Sequence, residues 1–548
     1  MEAITTTPQP VNEPVGSFAP GSPERARLRT ALADLAATPT EVRHVIGGEH
    51  RRGTGPVTDV VQPHRHAAVL GTRTDATAQD ARDAIAAASA AAPGWRALPF
   101  DERAAVFLRA ADLLAGPWRE TLTAATMLGQ SKTAYQAEID AACELIDFWR
   151  FNVHFARRIL AEQPISSPGV WNRVDHRPLE GFVYAITPFN FTAIAGNLPT
   201  APALMGNTVL WKPSPTQAVA AYWTMKLLEA AGLPPGVINL VHGPGPVVSD
   251  VALADRRLAG IHFTGSTATF QHLWQRVGAH IDRYDTYPRL VGETGGKDFV
   301  LAHSSADPAV LTTALLRGAF DYQGQKCSAA SRAFIPASVW KTMGEDLTAE
   351  AAALSYGDVT DLSHFGGAVI DQRAFDRNAA AIARAKSTPG LTIAAGGHAD
   401  DSEGWFVDPT IVLGDDPADE VFHTEYFGPI LAVHVYDDSA PGSFDAVLEQ
   451  VDRGSAYALT GSVIADDRHA VAHAGERLRF AAGNFYVNDK PTGAVVGQQP
   501  FGGARASGTN DKAGSAQNLL RWTSPRTVKE TFVPPTDHRY PHQRAEGN

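Results

Sequence analysis

The sequence predicts an α/β protein built on parallel sheets, because short apolar runs alternate with helical segments over much of the chain. Four runs with the length of buried strands follow Gly181, at residues 182–186, 209–211, 237–241 and 259–263. A helical segment, 217–231, lies between two of these runs and ends before Gly232. Parallel sheets of this kind bind ligands at the carboxyl ends of their strands.

Three helices are predicted before these strands. The alanine-rich segment 78–92 should stop at Pro93, because proline cannot donate the backbone hydrogen bond that continues a helix. Residues 101–115 form the second helix. Between residues 135 and 160, apolar side chains recur at spacings of three and four, which predicts a long helix with Cys143 in its buried stripe.

The composition is that of a globular protein with room for two or three domains. The chain has 548 residues, of which 44% are hydrophobic and 19% charged, and its formal net charge is −12. This charge argues against nucleic acid and anionic membrane surfaces as partners and favours a small-molecule substrate. No apolar run approaches the roughly 18 residues of a membrane span, and the sequence predicts no metal site.

Two further features bear on location. Cys143 and Cys327 are the only cysteines, and two cysteines without a disulfide framework indicate a reducing compartment. Residues 1–22 contain prolines and two glutamates but no lysine or arginine, unlike a signal or transit peptide. We therefore expect a cytoplasmic protein with a partly disordered tail over about its first 20 residues.

Cys327 is the first candidate for a catalytic residue. Its neighbours Lys326, Ser328 and Arg332 form a cationic, polar stretch, in which a thiolate is favoured at neutral pH. A lone cysteine is more often a buried core residue, so this stretch alone does not identify an enzyme. A second segment sets Glu293 beside a glycine pair. A thiol and a carboxylate together are typical of a nucleophile with its general base.

Two segments could receive the phosphates of a dinucleotide. Residues 243–248 carry the first two glycines of the dinucleotide fingerprint but have Val248 in place of the third, so the match is incomplete. Residues 263–266 are the better candidate, because a strand end is followed by Gly265 and by Ser266 as a helix N-cap. An ordinary capped helix would have the same sequence, and that alternative stays open.

These segments, in this order, resemble the aldehyde dehydrogenase superfamily. The resemblance runs from about residue 40 to about residue 533 and is carried by Thr187-Pro188-Phe189-Asn190, Trp211-Lys212-Pro213-Ser214, Phe263-Thr264-Gly265-Ser266, Glu293-Thr294-Gly295-Gly296-Lys297, Cys327 and Glu425-Tyr426-Phe427-Gly428-Pro429. It implies an aldehyde dehydrogenase-like α/β fold in three parts. These are a Rossmann-like NAD-binding domain at 1–160 and 179–294, a catalytic α/β domain at 295–508, and bridging, oligomerisation elements at 161–178 and 509–548.

The resemblance also implies roles for individual residues. The Cys327 thiolate would attack the aldehyde carbon, Asn190 would hold the oxyanion, and Glu293 would activate the water that hydrolyses the resulting thioester. The implied contacts to NAD are Lys212, Ser214, Gly265, Ser266, Glu425 and Phe427. Pro215 stands where many relatives have a glutamate that holds the ribose, so we expect a softened preference for NAD over NADP.

Three further segments, 320–329, 483–490 and 497–512, narrow the resemblance to one branch of the superfamily. That branch oxidises L-glutamate γ-semialdehyde, formed from Δ1-pyrroline-5-carboxylate, to L-glutamate in proline catabolism. The resemblance then implies that Ser328, Gly493 and Ala494 anchor the substrate carboxylate, and that Phe191 and Phe501 wall its methylene chain. It also implies a homodimer or higher homo-oligomer, and transient contact with proline dehydrogenase.

Other functions are compatible with parts of this pattern. One alternative is another semialdehyde or amino-aldehyde dehydrogenase. A second is a cofactor-free thiol hydrolase, because the last half of the mechanism is ester hydrolysis, although Lys212, Ser266 and Glu425 argue against it. A third is a non-catalytic structural relative, which the presence of every chemical residue disfavours.

Overall fold

The computed structural model describes residues 5–544 as two α/β bodies, each with a seven-stranded sheet, and a two-stranded extension. The helices are α1 (Pro23–Ala37), α2 (Ala78–Ala97), α3 (Phe100–Ala115), α4 (Arg119–Gln130), α5 (Ala134–Ala137), α6 (Leu145–Ala161), α7 (Thr192–Leu204), α8 (Ala218–Ala230), α9 (Gly245–Ala254), α10 (Thr267–Ala279), α11 (Pro308–Phe320), α12 (Ala337–Ala353), α13 (Gln372–Ser387), α14 (Ser443–Arg453), α15 (Arg468–Arg477) and α16 (Ala516–Leu520). None of these helices is both long and apolar enough to cross a membrane.

The strands follow in chain order. They are β1 (Thr40–Val42), β2 (His44–Ile46), β3 (Glu49–Arg51), β4 (Val57–Gln62), β5 (Arg65–Thr74), β6 (Val170–Pro178), β7 (Phe182–Thr187), β8 (Thr208–Pro213), β9 (Ile238–Leu240), β10 (Leu258–Thr264), β11 (Arg289–Glu293), β12 (Asp298–Ala302), β13 (Ala330–Pro336), β14 (Leu391–Ala395), β15 (Ala399–Asp400), β16 (Phe406–Val407), β17 (Thr410–Gly414), β18 (Ile430–Tyr436), β19 (Tyr457–Ala458), β20 (Thr460–Ile464), β21 (Asn484–Val487), β22 (Ala504–Arg505) and β23 (Thr523–Thr531).

The first body is a mainly parallel sheet covered by helices. Its strand order is β11-β10-β7-β8-β9-β2-β3, in which the first five strands run parallel and β2 and β3 extend the edge antiparallel. β8 and β10 are buried along their whole length, as strands covered on both faces must be. The four strands and the intervening helix predicted after Gly181 are thereby confirmed.

The second body repeats the arrangement in the order β14-β17-β18-β13-β12-β20-β21. All neighbours are parallel except β14, which pairs antiparallel with β17 at the edge. Separate apolar cores cover the two faces of this sheet, one lined by α11 and α12 and the other by α13 and α14. The predicted α/β class is therefore correct for both halves of the chain.

The two-stranded extension consists of β6 and β23, which pair antiparallel from Thr523 opposite Pro178 to Thr531 opposite Val170. Both strands lie in the segments predicted to bridge subunits. The intervening part of the second segment behaves differently, because Leu519 and Trp522 are fully buried in the core of the first body. Residues 513–522 thus pack with the first body. The domain limits, including the bridging elements at 161–178 and 509–548, stay a prediction.

Two predicted helices differ from those observed. α2 continues through Pro93 to Ala97, because the buried Trp95 anchors the last turn by donating its indole N–H to the Ala203 carbonyl at 2.8 Å. The long helix predicted from 135 to 160 contains a π-helical segment, Glu138–Glu144, between α5 and α6. A π segment shifts the side chains that follow it around the helix and is frequent at functional sites.

The prediction of a disordered N-terminal tail is wrong for the described residues 5–22; residues 1–4 lie outside them. This stretch forms no helix or strand before α1, yet Phe18 is buried in the first core. Glu13 forms ion pairs with Arg119 and Arg150 at 2.6 and 2.7 Å. The stretch is ordered because partners far away in sequence bind it, which its own composition does not reveal.

Candidate active site

The candidate active site lies where the two bodies meet. β11 ends at Glu293 and β12 begins at Asp298, so the segment between them crosses from the first sheet to the second. Cys327 lies in the turn before β13, and Asn190 lies in the turn after β7. The Asn190 amide Nδ2 donates to the Gln325 carbonyl at 3.0 Å, which joins these two turns. The fold therefore brings the three predicted catalytic residues to one junction.

Buried side-chain amides hold the turn that carries Cys327. Gln323 has a φ of 54°, and its Nε2 donates to the carbonyls of Ser131 and Ala368 at 3.0 and 2.7 Å. Gln325 Oε1 accepts a backbone N–H from the second body at 2.9 Å. Because both amides are fully buried, the turn is fixed against the first and the second body before the chain reaches the thiol.

Asn190 is well placed to hold a developing oxyanion. It is 4% exposed, and one Nδ2 hydrogen is used by the Gln325 carbonyl. An amide nitrogen has two hydrogens, so a second one remains to be donated towards Cys327. A fixed donor of this kind typically contributes about 10²–10³ in rate. Its role, together with the Cys327 backbone N–H, stays a prediction.

Glu293 is a partly buried residue, and its Oε1 is buried without a hydrogen-bond partner within residues 5–544. Burial raises its pKa to about 8, and the Lys512 ammonium opposes that rise. Its position at the end of β11 is secured by the next residue, Thr294, whose N–H donates to the Ser507 carbonyl and whose hydroxyl donates to the Ala506 carbonyl. A rigid, unpartnered carboxyl with a pKa near neutrality is suited to accept a proton in catalysis.

The environment of Cys327 differs from the one expected from its sequence neighbours. Burial raises the pKa of the thiol well above its ordinary value, and Glu293, Asp298 and Glu425 raise it further. The Arg332 guanidinium points away from the thiol. Its Nε donates to the carbonyl of Lys297, in the segment between β11 and β12, at 2.9 Å. The expected cationic environment is therefore wrong, and the thiol needs a neighbouring base to take its proton.

Lys212 stands at the carboxyl end of β8, as a residue that reaches a nucleotide ribose must. It is buried, and this burial lowers its pKa to about 8, with the nearby Arg73 lowering it further. A side chain at Gly245, the first residue of α9, would begin 3.9 Å from the Lys212 ammonium. The absence of that side chain leaves open space beside Lys212, which fits an adenosine group there. The incomplete glycine fingerprint thus lies at this helix start.

Ser266 caps α10, and its hydroxyl accepts from the backbone N–H of Thr269 at 3.3 Å. The N-terminus of such a helix attracts phosphate groups. The Gly265 N–H donates to the Glu293 carbonyl at 3.1 Å, and contact of Gly265 with the cofactor stays a prediction. The hydroxyls of Ser214, in the turn after β8, and Thr216 form a hydrogen bond of 3.1 Å. Gly265 therefore joins the predicted base to the predicted phosphate site.

Glu425 and Phe427 border the same junction. Glu425 Oε1 accepts from the Gly296 N–H at 2.8 Å, and burial raises the pKa of the carboxyl to about 7. A side chain at Gly295 would collide with this carboxylate, which explains the glycine pair after Glu293. Phe427 has a φ of 53°, and its ring packs edge-on against Phe189 with centroids 5.8 Å apart. These contacts fit a group held between the two bodies.

The predicted carboxylate anchors come from two distant segments that the fold joins. The Ser328 hydroxyl is buried and lies 2.8 Å from the Thr492 hydroxyl, directly before Gly493 and Ala494. Gly493 has a φ of 94°, a conformation that favours glycine and that turns the backbone sharply after Thr492. Phe501 pairs with a neighbouring loop through two backbone hydrogen bonds, to the N–H and the carbonyl of Ala513. Thr492 escaped the sequence analysis.

The sequence analysis also did not identify Asp140, a polar residue beside the site. Asp140, in the π-helical segment, accepts the backbone N–H of Thr192 and of Ala193 at 3.0 and 2.8 Å, so it caps α7 directly after Asn190. It also accepts from Lys132, whose ammonium lies 4.1 Å from the centroid of the Phe191 ring. A polar residue in an otherwise apolar helical stripe was the signal that could have revealed it.

Comparisons with known proteins agree with this arrangement. A crystal structure of Delta-pyrroline-5-carboxylate dehydrogenase from Mycobacterium tuberculosis bound with NAD is 71% identical, with a TM-score of 0.96 and complete coverage of both chains. The mitochondrial Delta-1-pyrroline-5-carboxylate dehydrogenase of Bos taurus is 49% identical over 98% of this chain and 95% of its own. Proline utilization A from Bdellovibrio bacteriovorus is 30% identical, with a TM-score of 0.90 over 97% of this chain and 54% of its own.

The family match extends over most of the sequence. The profile of the aldehyde dehydrogenase family covers residues 50–528. That range includes the second sheet, the first sheet except β2 and the start of β3, the crossing segment between the sheets and every predicted catalytic residue. The α/β fold and the ordered motifs agree with it. This chain belongs to the aldehyde dehydrogenase family.

Proposed function

We propose that this protein is an NAD-dependent dehydrogenase that oxidises L-glutamate γ-semialdehyde, the open form of Δ1-pyrroline-5-carboxylate, to L-glutamate in proline catabolism. The observation that carries the proposal is the Ser328–Thr492 hydrogen bond of 2.8 Å. It joins the residue after the catalytic thiol to the turn at Gly493, which fits a substrate with an aldehyde at one end and a carboxylate at the other. The named relatives support the same substrate.

The first chemical step uses the protein's own groups. Cys327 Sγ forms a bond to the aldehyde carbon, and the thiol proton passes to Glu293, whose raised pKa makes it a competent acceptor. The aldehyde oxygen becomes an oxyanion and accepts hydrogen bonds from Asn190 and from the Cys327 N–H. Cys327 and Asn190 are buried, and their burial strengthens these interactions by excluding water.

NAD, when bound, supplies the hydride acceptor that turns this adduct into a thioester. The open space beside Lys212 and the capped start of α10 at Ser266 fit its adenosine and phosphate groups. Ser214, Glu425 and Phe427 would complete the contacts. Once the thiol proton has passed from Glu293 to solvent, Glu293 takes a proton from the water that attacks the thioester carbon, and the Cys327 sulfur leaves as the product carboxylate forms.

We expect kcat/KM to be higher with NAD than with NADP, but by a small factor. Pro215 offers no carboxylate to repel a 2′-phosphate, and the guanidinium of Arg73 lies close to Lys212. The Arg73 charge is offset by its 2.9 Å pair with Asp75. Steady-state kcat/KM with each cofactor measures the preference. Pro215→Glu should widen it by about tenfold, through repulsion of NADP. If the ratio of kcat/KM with NAD to kcat/KM with NADP is unchanged in that variant, the ribose does not bind beside residue 215.

The substrate itself can be tested by removing one anchor. Ser328→Ala should lower kcat/KM for the semialdehyde by a factor that corresponds to about 1–3 kcal/mol of transition-state binding free energy. The reason is that the substrate carboxylate and the buried Thr492 hydroxyl both lose a donor. Propanal has no carboxylate, so its kcat/KM should change far less. The comparison of the two substrates in one variant is the measurement. Equal losses would show that Ser328 supports the thiol, and wild-type activity on propanal equal to that on the semialdehyde would reject the substrate.

We also propose a homo-oligomer assembled through β6 and β23. No third strand pairs with β6 or β23 in the described chain, and Trp171 and Phe532 are more than half exposed beside them. Transient contact with proline dehydrogenase is a related proposal, supported by the likeness to proline utilization A. Sedimentation of the purified protein, alone and with a proline dehydrogenase, tests both.

A cytoplasmic location is likewise our proposal. Cys143 and Cys327 are both free thiols in the structure, as expected in a reducing compartment. The name of the Bos taurus relative specifies mitochondria, another reducing compartment. Fractionation of cells that express the full chain distinguishes the two.

A further inference from the structure

The N-terminal strap, defined as residues 5–18, crosses the first body beside the turn that would bind the substrate carboxylate. It has no regular secondary structure and is held at both ends. Thr5 donates to Asp101 at 2.6 Å near its start, and Phe18 is buried at its end. Glu13 in the middle pairs with Arg119 and with a second arginine on α6. The strap is therefore a fixed structural element.

One strap residue reaches the turn directly. Asn12 Nδ2 donates to the Val496 carbonyl at 2.8 Å, and Asn12 Oδ1 accepts from Gln498 Nε2 at 2.9 Å. Within residues 5–544, these two are the hydrogen bonds that residues 493–499 make to other parts of the chain. The same Asn12 amide donates to Asp147 on α6 at 2.8 Å. Asn12 thus ties the turn to the first body.

The turn depends on this tie because its own contacts are few. Its internal bonds run from the backbone N–H groups of residues 498 and 499 to the Val495 carbonyl, and from the Val495 N–H to Gln499 Oε1 at 2.9 Å. Val496 is buried, and a side chain at Gly497 would collide with the Phe151 ring, so this part lies flat on α6. Gly493 itself is exposed and has a φ of 94°, and it lies between Thr492, which the Ser328 hydroxyl holds, and Val496, which Asn12 holds.

We infer that Asn12 is a positioning residue for substrate recognition, which sets the backbone donors of Gly493 and Ala494 against the substrate carboxylate. This inference rests on the proposed function. It follows from the geometry that a segment at the start of the chain contributes to specificity without touching the substrate. A small shift of a donor weakens a charge-assisted hydrogen bond steeply, whereas the thiol, the base and the oxyanion donor lie on other segments.

The test is Asn12→Ala, assayed with glutamate semialdehyde and with propanal. Loss of two hydrogen bonds to the turn should raise KM for the semialdehyde about five- to thirtyfold, with kcat within about twofold of wild type. The kcat/KM for propanal should stay within about twofold. Titration with L-glutamate, the product, should show a matching rise in Kd without any turnover.

Two further variants make the outcome decisive. Gln498→Ala removes one of the two bonds from an exposed side chain, so it should fold and show a smaller effect of the same kind. Thr5→Ala loosens the strap at its other end and should leave KM unchanged. Equal losses on both substrates, or no change in KM and glutamate Kd, would overturn the role of Asn12. Failure of the wild type to oxidise the semialdehyde would instead reject the proposed function.

Discussion

Replacing Cys327 with alanine is expected to lower kcat for aldehyde oxidation by about 10⁴-fold or more, because no other group can form the covalent adduct. The cofactor contacts at Lys212 and Ser266 lie on other segments, so binding of NAD should remain close to that of wild type. Formation of reduced nicotinamide, followed by absorbance, gives the rate. Thermal unfolding checks that the buried position tolerates the smaller side chain, which removes a single atom.

Cys143 provides the matched control. It is the other buried free thiol, and its sulfur lies 3.6 Å from Arg119 and 3.7 Å from the Pro14 carbonyl, away from the predicted oxyanion donors. Cys143→Ala should keep aldehyde oxidation at the wild-type level. If the Cys327→Ala variant still oxidises aldehydes substantially, Cys327 is not the nucleophile. If the wild type hydrolyses esters but does not reduce nicotinamide, a thiol hydrolase is favoured.

Replacing Glu293 with glutamine is expected to stop the cycle after one turnover. The thioester should form once, more slowly than in the wild type because the thiol proton must pass to water instead of Glu293. It should then persist, because the amide cannot accept a proton from the attacking water. Rapid mixing should therefore show a burst of about one reduced nicotinamide per active site and a steady-state rate lower by about 10²–10⁴-fold. Mass spectrometry of the quenched protein should find the acyl group on Cys327. A reduced steady state with neither burst nor acyl-enzyme would place the base elsewhere.

The pH dependence gives an independent check of Glu293. Burial raises its pKa to about 8, so only a minor fraction of the carboxyl is ionised at neutral pH, and wild-type kcat should rise as pH passes through about 8. The native state holds that proton more tightly than the unfolded chain, so Glu293 lowers the free energy of unfolding as pH rises from its ordinary pKa to about 8. Glu293→Gln should therefore lose the rise in kcat and unfold at a higher temperature than wild type at pH 9.

Local chemistry explains what could be predicted from the sequence. The strands at β7, β8 and β10 follow from continuous apolar runs between turn residues, and the start of α10 follows from the N-cap Ser266. The thiol and its carboxylate partner were recognisable because their two segments occur together, within an ordered set of motifs that resembles a known family. Each of these features depends on a short stretch of chain and on its nearest neighbours.

The same reasoning failed wherever a distant segment decides the result. Helix α2 continues past Pro93 because the Trp95 indole donates a hydrogen bond to a carbonyl on α7. Residues 5–18 are ordered because α4 and α6 supply ion-pair partners. Local composition opposed both outcomes. Tertiary contacts override a local preference when they contribute more than the roughly 1–3 kcal/mol that such a preference is worth.

The sequence by itself determined the α/β class, the family resemblance and the identity of the reactive groups. Only the tertiary structure decided their chemical state. The cations beside Cys327 in sequence point elsewhere, whereas Glu293 and Glu425, remote in sequence, raise the pKa of its thiol. The reason is physical, because pKa shifts depend on burial and on distances in space. The tie from Asn12 to the turn at Val496 is of the same kind, since the fold alone brings the two ends of the chain together.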